Sequence, residues 1–168
     1  AVVERAVALL AGARRIVFFG LGGSGPVVQD ALHKFMRLDH PATAHTDPLL
    51  ARMAVAAMAP DDVLVLVSNT GRTEAVVDLA RLARQGGAGT LALTAPGSPL
   101  AAEAAVVLTS EPVEDSEVYT PMASRILHLV LIDVLATGVA LRRGPRIQQH
   151  LKRIKQGLRP TRLPRDGT

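Results

Sequence analysis

Two short segments combine glycines with side-chain hydroxyls: Gly20-Leu21-Gly22-Gly23-Ser24-Gly25 and Ser68-Asn69-Thr70-Gly71-Arg72-Thr73. Each follows an apolar run and precedes a stretch of helical periodicity. At a helix N-terminus the first backbone N–H groups lack partners and the dipole end is positive, so an anion is favoured there. The hydroxyls of Ser24, Ser68, Thr70 and Thr73 can donate to phosphate oxygens, and small residues let the backbone approach closely. Ser and Thr also cap helix starts in the ordinary way, and one such loop alone reads equally well as a cap. Two of them point to an anion site, to which phosphate is suited. Ser24, Ser68, Asn69, Thr70, Gly71 and Thr73 are its candidate phosphate contacts, and Gly22 and Gly23 lend backbone.

Other anion chemistries fit less well. The first segment also reads G-x-G-x-x-G, and Asp47 lies about twenty residues on, where a dinucleotide fold places its ribose acid. A dinucleotide site has no use for the second hydroxyl-rich loop, however. Pro26 follows Gly25 where a P-loop requires Lys and then Ser or Thr. The sequence holds no Cys, no H-E-x-x-H and no cluster of His, so no metal site or other cofactor site is expected. The same lack of Cys excludes disulfides and a thiolate nucleophile. No Ser-His-Asp arrangement supports a hydrolase.

These loops need a scaffold. Residues 16–19, 63–67, 90–94 and 105–108 are continuous apolar runs, which fit strands buried on both faces. Residues 42–46 make a fifth, weaker strand. Between them, residues 26–37, 48–58 and 74–85 carry helical periodicity, and a helix precedes the first strand up to about Gly12. Residues 121–141 read as a long, nearly all-apolar helix with Thr120 as N-cap and Pro121 in its first position. Strand–helix alternation implies an α/β fold, a doubly wound, mainly parallel five-stranded sheet with helices on both faces. In such sheets the ligand sits beyond the carboxyl ends of the strands, which is where both hydroxyl loops fall.

The chain has 168 residues, a net charge of +4 and a pI near 10.3. Length and a mean hydropathy of +0.25 fit one ordinary globular domain rather than a disordered chain. Residues 1–141 carry 10 Lys+Arg against 14 Asp+Glu, a net of −4, whereas residues 142–168 carry 9 against one, a net of +8. The basicity therefore belongs to a C-terminal helix at 145–157 and its tail. A body of net −4 must hold phosphate through local N–H groups and hydroxyls, not through a general positive field. Aromatics are only 2% of the chain, too few for stacking platforms on single-stranded nucleic acid. No unbroken apolar run reaches about 18 residues, and no membrane span or signal peptide is expected.

An apolar strand running into G-x-G-x-S, then another into S-x-[ST]-G-x-[ST], resembles the SIS (sugar isomerase) domain, which binds phosphosugars. The resemblance covers about residues 1–143. It implies that the second loop wraps the sugar phosphate through Ser68, Thr70 and Thr73 with Gly71 for the turn, and that Ser24 serves the first loop. Further segments are similar to the ligand-sensing half of RpiR-type transcriptional regulators. They are Leu32-His33-Lys34-Phe35, Val118-Tyr119-Thr120-Pro121-Met122, Ile132-Asp133-Val134-Leu135-Ala136-Thr137-Gly138 and Leu141-Arg142-Arg143-Gly144. That resemblance implies a cytoplasmic, non-catalytic sensor, with 2-keto-3-deoxy-6-phosphogluconate as effector. It implies a homodimer or a tetramer, and DNA contact through an N-terminal helix-turn-helix domain expected in the full-length protein ahead of Ala1. Residues 144–168 then form a basic helix and tail outside the phosphosugar domain.

The alternative is a catalytic aldose–ketose isomerase. Moving a proton between adjacent carbons needs a base, usually a carboxylate helped by a His. Glu117 lies before the long helix, where isomerases of this family carry a functional Glu. Glu117, Arg125 and His45 are the candidate sugar contacts. His128 is expected in the core or a dimer interface, and His33 and His40 at the surface. Arg125 is expected to pair with the acids at 111–117 if it does not meet a ligand carboxylate, and Asp133 is expected buried in the apolar helix with a local partner.

Overall fold

The computed structural model describes residues 1–110 and 122–161. In chain order the elements are α1 (Val2–Gly12), β1 (Ile16–Gly20), a 3-10 turn at Gly22–Ser24, α2 (Gly25–Arg37), β2 (Ala42–His45), α3 (Pro48–Ala56), β3 (Val63–Ser68), α4 (Glu74–Gln85), β4 (Gly89–Thr94), α5 (Pro99–Glu103), β5 (Val106–Thr109), α6 (Ala123–Arg143) and α7 (Pro145–Gly157), with a closing 3-10 turn at Arg159–Thr161. The strands form one sheet of order β2-β1-β3-β4-β5, and every pairing is parallel.

Burial explains the unbroken apolar strands. All five residues of β1 and all six of β3 are buried, because helices cover both faces. Ile16, Phe18, Val63, Val65, Val67, Leu91 and Leu93 point to the α1, α2 and α6 side. Val17, Phe19, Leu64, Leu66 and Ala92 point to the α3, α4 and α5 side. This is the period-two alternation of a strand with two cores. Phe18 and Phe35 meet at 5.3 Å between ring centroids, and Phe35 meets His40 edge-on at 6.3 Å. At Gly138 the α1–α6 approach is so close that a Cβ would lie 2.5 Å from Val7 Cγ2.

The amino ends of the strands are pinned by charge. Asp62, whose side chain is fully buried, accepts from Arg15 Nε at 2.9 Å, Arg14 Nη2 at 2.8 Å and the Ala59 N–H at 2.9 Å. Burial alone would raise its pKa, but the amide and the two guanidiniums outweigh it and hold the carboxyl below its ordinary value. A buried carboxylate at this end of a doubly wound sheet serves stability, since ligands approach the opposite end.

Several expectations require correction. His40 is 3% exposed rather than at the surface. Its Nδ1 meets the Arg143 guanidinium, which also donates to Leu38 O at 2.8 Å and Asp39 O at 3.1 Å. Burial first, and then the Arg143 cation, push its pKa down to about 4. Asp133 is exposed rather than buried, because it faces α2, where Lys34 Nζ reaches it at 2.6 Å. The predicted cap at Thr120 and Pro121 lies outside the described residues, and α6 is described from Ala123. α5 was not anticipated: its five residues are too few to show periodicity, although Ser98 caps it through the Ala101 N–H at 3.2 Å. The 21 residues of α6 are also long and apolar enough to cross a membrane by length and composition. In the fold this helix packs on α1 and α2, and Ile132, Leu135 and Val139 enter the core.

Candidate functional site

Strand order reverses between β1 and β3, since β1 connects outward to β2 on one side and β3 to β4 on the other. The loops leaving these two adjacent strands diverge around a crevice, the switch point of a doubly wound sheet. A cavity of about 240 Å³ lies there, lined by Leu21, Gly23 and Ser24 from the first loop, Ser68, Asn69, Thr70 and Thr73 from the second, and Ser124, Arg125 and His128 from α6.

Local geometry leaves the hydroxyls available as donors. Ser68 ends β3 and is buried; its Oγ accepts from the Gly71 N–H at 3.2 Å. Thr70 Oγ1 accepts from the Arg72 N–H at 3.4 Å. In both, a lone pair is occupied while the O–H can still donate. Ser24 and Thr73 occupy the N-cap positions of α2 and α4, yet neither side chain makes a cap hydrogen bond. Asp47 and Ser98 show what capping looks like in this chain, accepting from Leu50 N at 2.8 Å and Ala101 N at 3.2 Å. With Asp47 engaged in that cap, the dinucleotide reading loses its ribose acid.

Among the described residues, the ionisable side chains on the cavity wall are Arg125 and His128, with no carboxylate. Together with the N-termini of α2 and α4, the wall is suited to an anion.

Three predicted contacts stand apart from the cavity. Gly71, at φ +62°, shapes the second loop: a Cβ there would collide with the hydroxyls of Ser98 and Thr94, and its carbonyl accepts from Leu100 N at 3.1 Å. Gly22 sits in the 3-10 turn, away from the wall. His45 is on the edge strand β2, and its Nε2 is hydrogen-bonded to Thr43 Oγ1 at 3.2 Å, two residues away on the same face. Glu117 lies outside the described residues, as do the acids proposed to pair with Arg125. Arg72 is exposed.

Two wall residues were missed as contacts. Ser124 is 1% exposed, and His128, also 1% exposed, is hydrogen-bonded through Nε2 to Ser110 Oγ at 2.9 Å. His128 is buried as expected, yet it also faces the crevice. The i, i+4 spacing of Ser124 and His128 is the signal that could have found them.

Residues 9–138 match the SIS domain family. The chain is 50% identical over 165 residues to the HTH-type transcriptional regulator HexR of Pseudomonas aeruginosa, covering 98% of this chain and 58% of that protein. It is 47% identical over 161 residues to HexR of Escherichia coli, covering 96% and 56%. It thus spans rather more than half the length of these relatives. Among solved structures, Vibrio vulnificus NanR complexed with ManNAc-6P superposes with a TM-score of 0.88 at 25% identity, covering 96% of this chain and 62% of that one. A parallel five-stranded α/β domain, matched over most of its length, this chain belongs to the SIS domain family.

Proposed function

We propose that this chain is the phosphosugar-sensing domain of a cytoplasmic transcription regulator. The observation that carries the reading is the convergence of two hydroxyl loops and the α6 wall on one crevice at the switch point. The ligand phosphate sits against Ser24, Ser68, Asn69, Thr70 and Thr73, with Gly22, Gly23 and Gly71 setting the loop backbones. Arg125 meets a carboxylate at the far end of the ligand, and Glu117 is a further sugar contact. This favours a phosphorylated sugar acid, and the likeness to HexR favours 2-keto-3-deoxy-6-phosphogluconate. Residues 1–143 form the sensing unit and 144–168 its basic extension. Ligand binding alters the spacing of helix-turn-helix domains in a homodimer of the full-length protein.

A thermal-shift series of phosphorylated sugar acids tests the reading. A ligand at 100 times its Kd adds about 2.7 kcal/mol, which raises the melting temperature by several degrees. Ser68→Ala removes a charge-assisted donor of about 1.5–3 kcal/mol and weakens binding by about ten- to a hundredfold. Unchanged affinity by calorimetry contradicts the placement. Turnover of aldose and ketose phosphates contradicts the sensor and supports the isomerase with Glu117 as base.

A further inference from the structure

We propose that α7, together with Arg143, is a contact surface for the phosphate backbone of duplex DNA, in addition to any contact made by a separate DNA-binding domain. Residues 142–161 contain seven Lys+Arg and no Asp or Glu. The helix is anchored by its apolar side: Ile147 is buried and Leu151 and Ile154 are half-buried, and the helix packs on α2 and α6. With that side turned inward, the outward face of α7 is polar, carrying Arg146, Gln149, Lys152, Arg153, Lys155 and Gln156.

Its cations are left unneutralised. In the body, Arg14, Arg15, Lys34, Arg81 and Arg84 pair with carboxylates, and Arg37, Arg52 and Arg72, which pair with none among the described residues, lie on separate segments. Arg146, Lys152, Lys155 and Arg159 are exposed and, among the described residues, pair with none. Among the described residues, Arg153 meets only His150, at 3.4 Å. Arg143, Arg146, His150 and Arg153, with one carboxylate, Asp39, and the apolar Ile147, line a cleft of about 380 Å³ between α7 and the turn after α2, and Arg143 is held there by the Leu38 and Asp39 carbonyls. Arg146 and Arg153 lie seven residues apart, about 10.5 Å along one side of the helix. This pattern suits a regular polyanion better than a single small anion. The relatives that share the segment are HTH-type transcriptional regulators.

The test is fluorescence anisotropy of a labelled duplex of about 20 base pairs and arbitrary sequence with this chain, between 50 and 200 mM KCl. The expected result is binding whose log K falls with log salt by about 0.9 per phosphate contacted. Arg146→Gln combined with Arg153→Gln lowers that slope by about two and weakens binding at 50 mM KCl at least tenfold. Arg52→Gln, a charge removed from the opposite side of the sheet, changes binding less than twofold. Both variants keep the wild-type melting temperature and the phosphosugar-induced shift, so failure here is separable from failure of the sensor reading. No duplex binding at 50 mM KCl, equal loss in Arg52→Gln, or equally tight binding of inorganic phosphate or a poly-glutamate peptide overturns the proposal.

Discussion

Ser24 and Thr73 stand where a helix normally uses a hydroxyl to satisfy its own N–H groups, and neither does so. That leaves both the hydroxyls and the helix-end amides for an anion. Arg125 makes a sharper distinction, because a cation matters only if the ligand carries charge beyond its phosphate. Arg125→Gln is expected to weaken binding of a phosphorylated sugar acid at least tenfold while changing affinity for the matching neutral-headed sugar phosphate less than threefold. Calorimetry with the two ligands measures this, and equal losses place Arg125 on the phosphate instead.

At the level of elements, the end of α2 is tied to the end of α6 by one contact set, Arg143 on the Leu38 and Asp39 carbonyls and on His40. His40 ionises near 6.5 in an unfolded chain but only at about 4 here. Between those values the unfolded state binds the extra proton. Stability from this group is therefore complete above about pH 6.5 and declines as pH falls toward 4. Thermal melts at pH 7 and pH 5 should show a larger loss in the wild type than in His40→Gln. Equal losses assign the acid sensitivity to other groups. Asp62 does not confuse the comparison, since its depressed pKa places its effect below about 3.8.

For the whole molecule, α6 faces two ways. Ser124, His128, Ile132, Leu135 and Val139 are buried, whereas Met122, Ile126, Val130 and Val134 repeat every four residues and remain 43–61% exposed. A second copy of the chain is the occupant that the proposed homodimer requires. Light scattering after size exclusion should report twice the chain mass for the wild type and the single-chain mass for Val130→Glu. A monomeric wild type removes this interface from the proposal.

Strands, every helix but the five-residue α5, and both hydroxyl loops were legible in the chain itself, because continuous apolar runs, helical periodicity and glycine–hydroxyl clusters are local patterns. Parallel β1 and β3 followed from the alternation of elements, and with them the end of the sheet that holds the crevice. What only tertiary structure decided was which side chains share it. Ser124 and His128 lie more than fifty residues from Ser68, and α6 brings them to the same wall. His45 and Gly71 fit the pattern but stand apart from the cavity, His45 bonded to Thr43 and Gly71 shaping its loop where any Cβ would collide with Ser98 and Thr94. His40 reads as a surface residue until α6 returns across α2 to bury it. Local chemistry is written in neighbouring residues, while convergence and burial depend on contacts between distant segments, which a one-dimensional pattern does not contain.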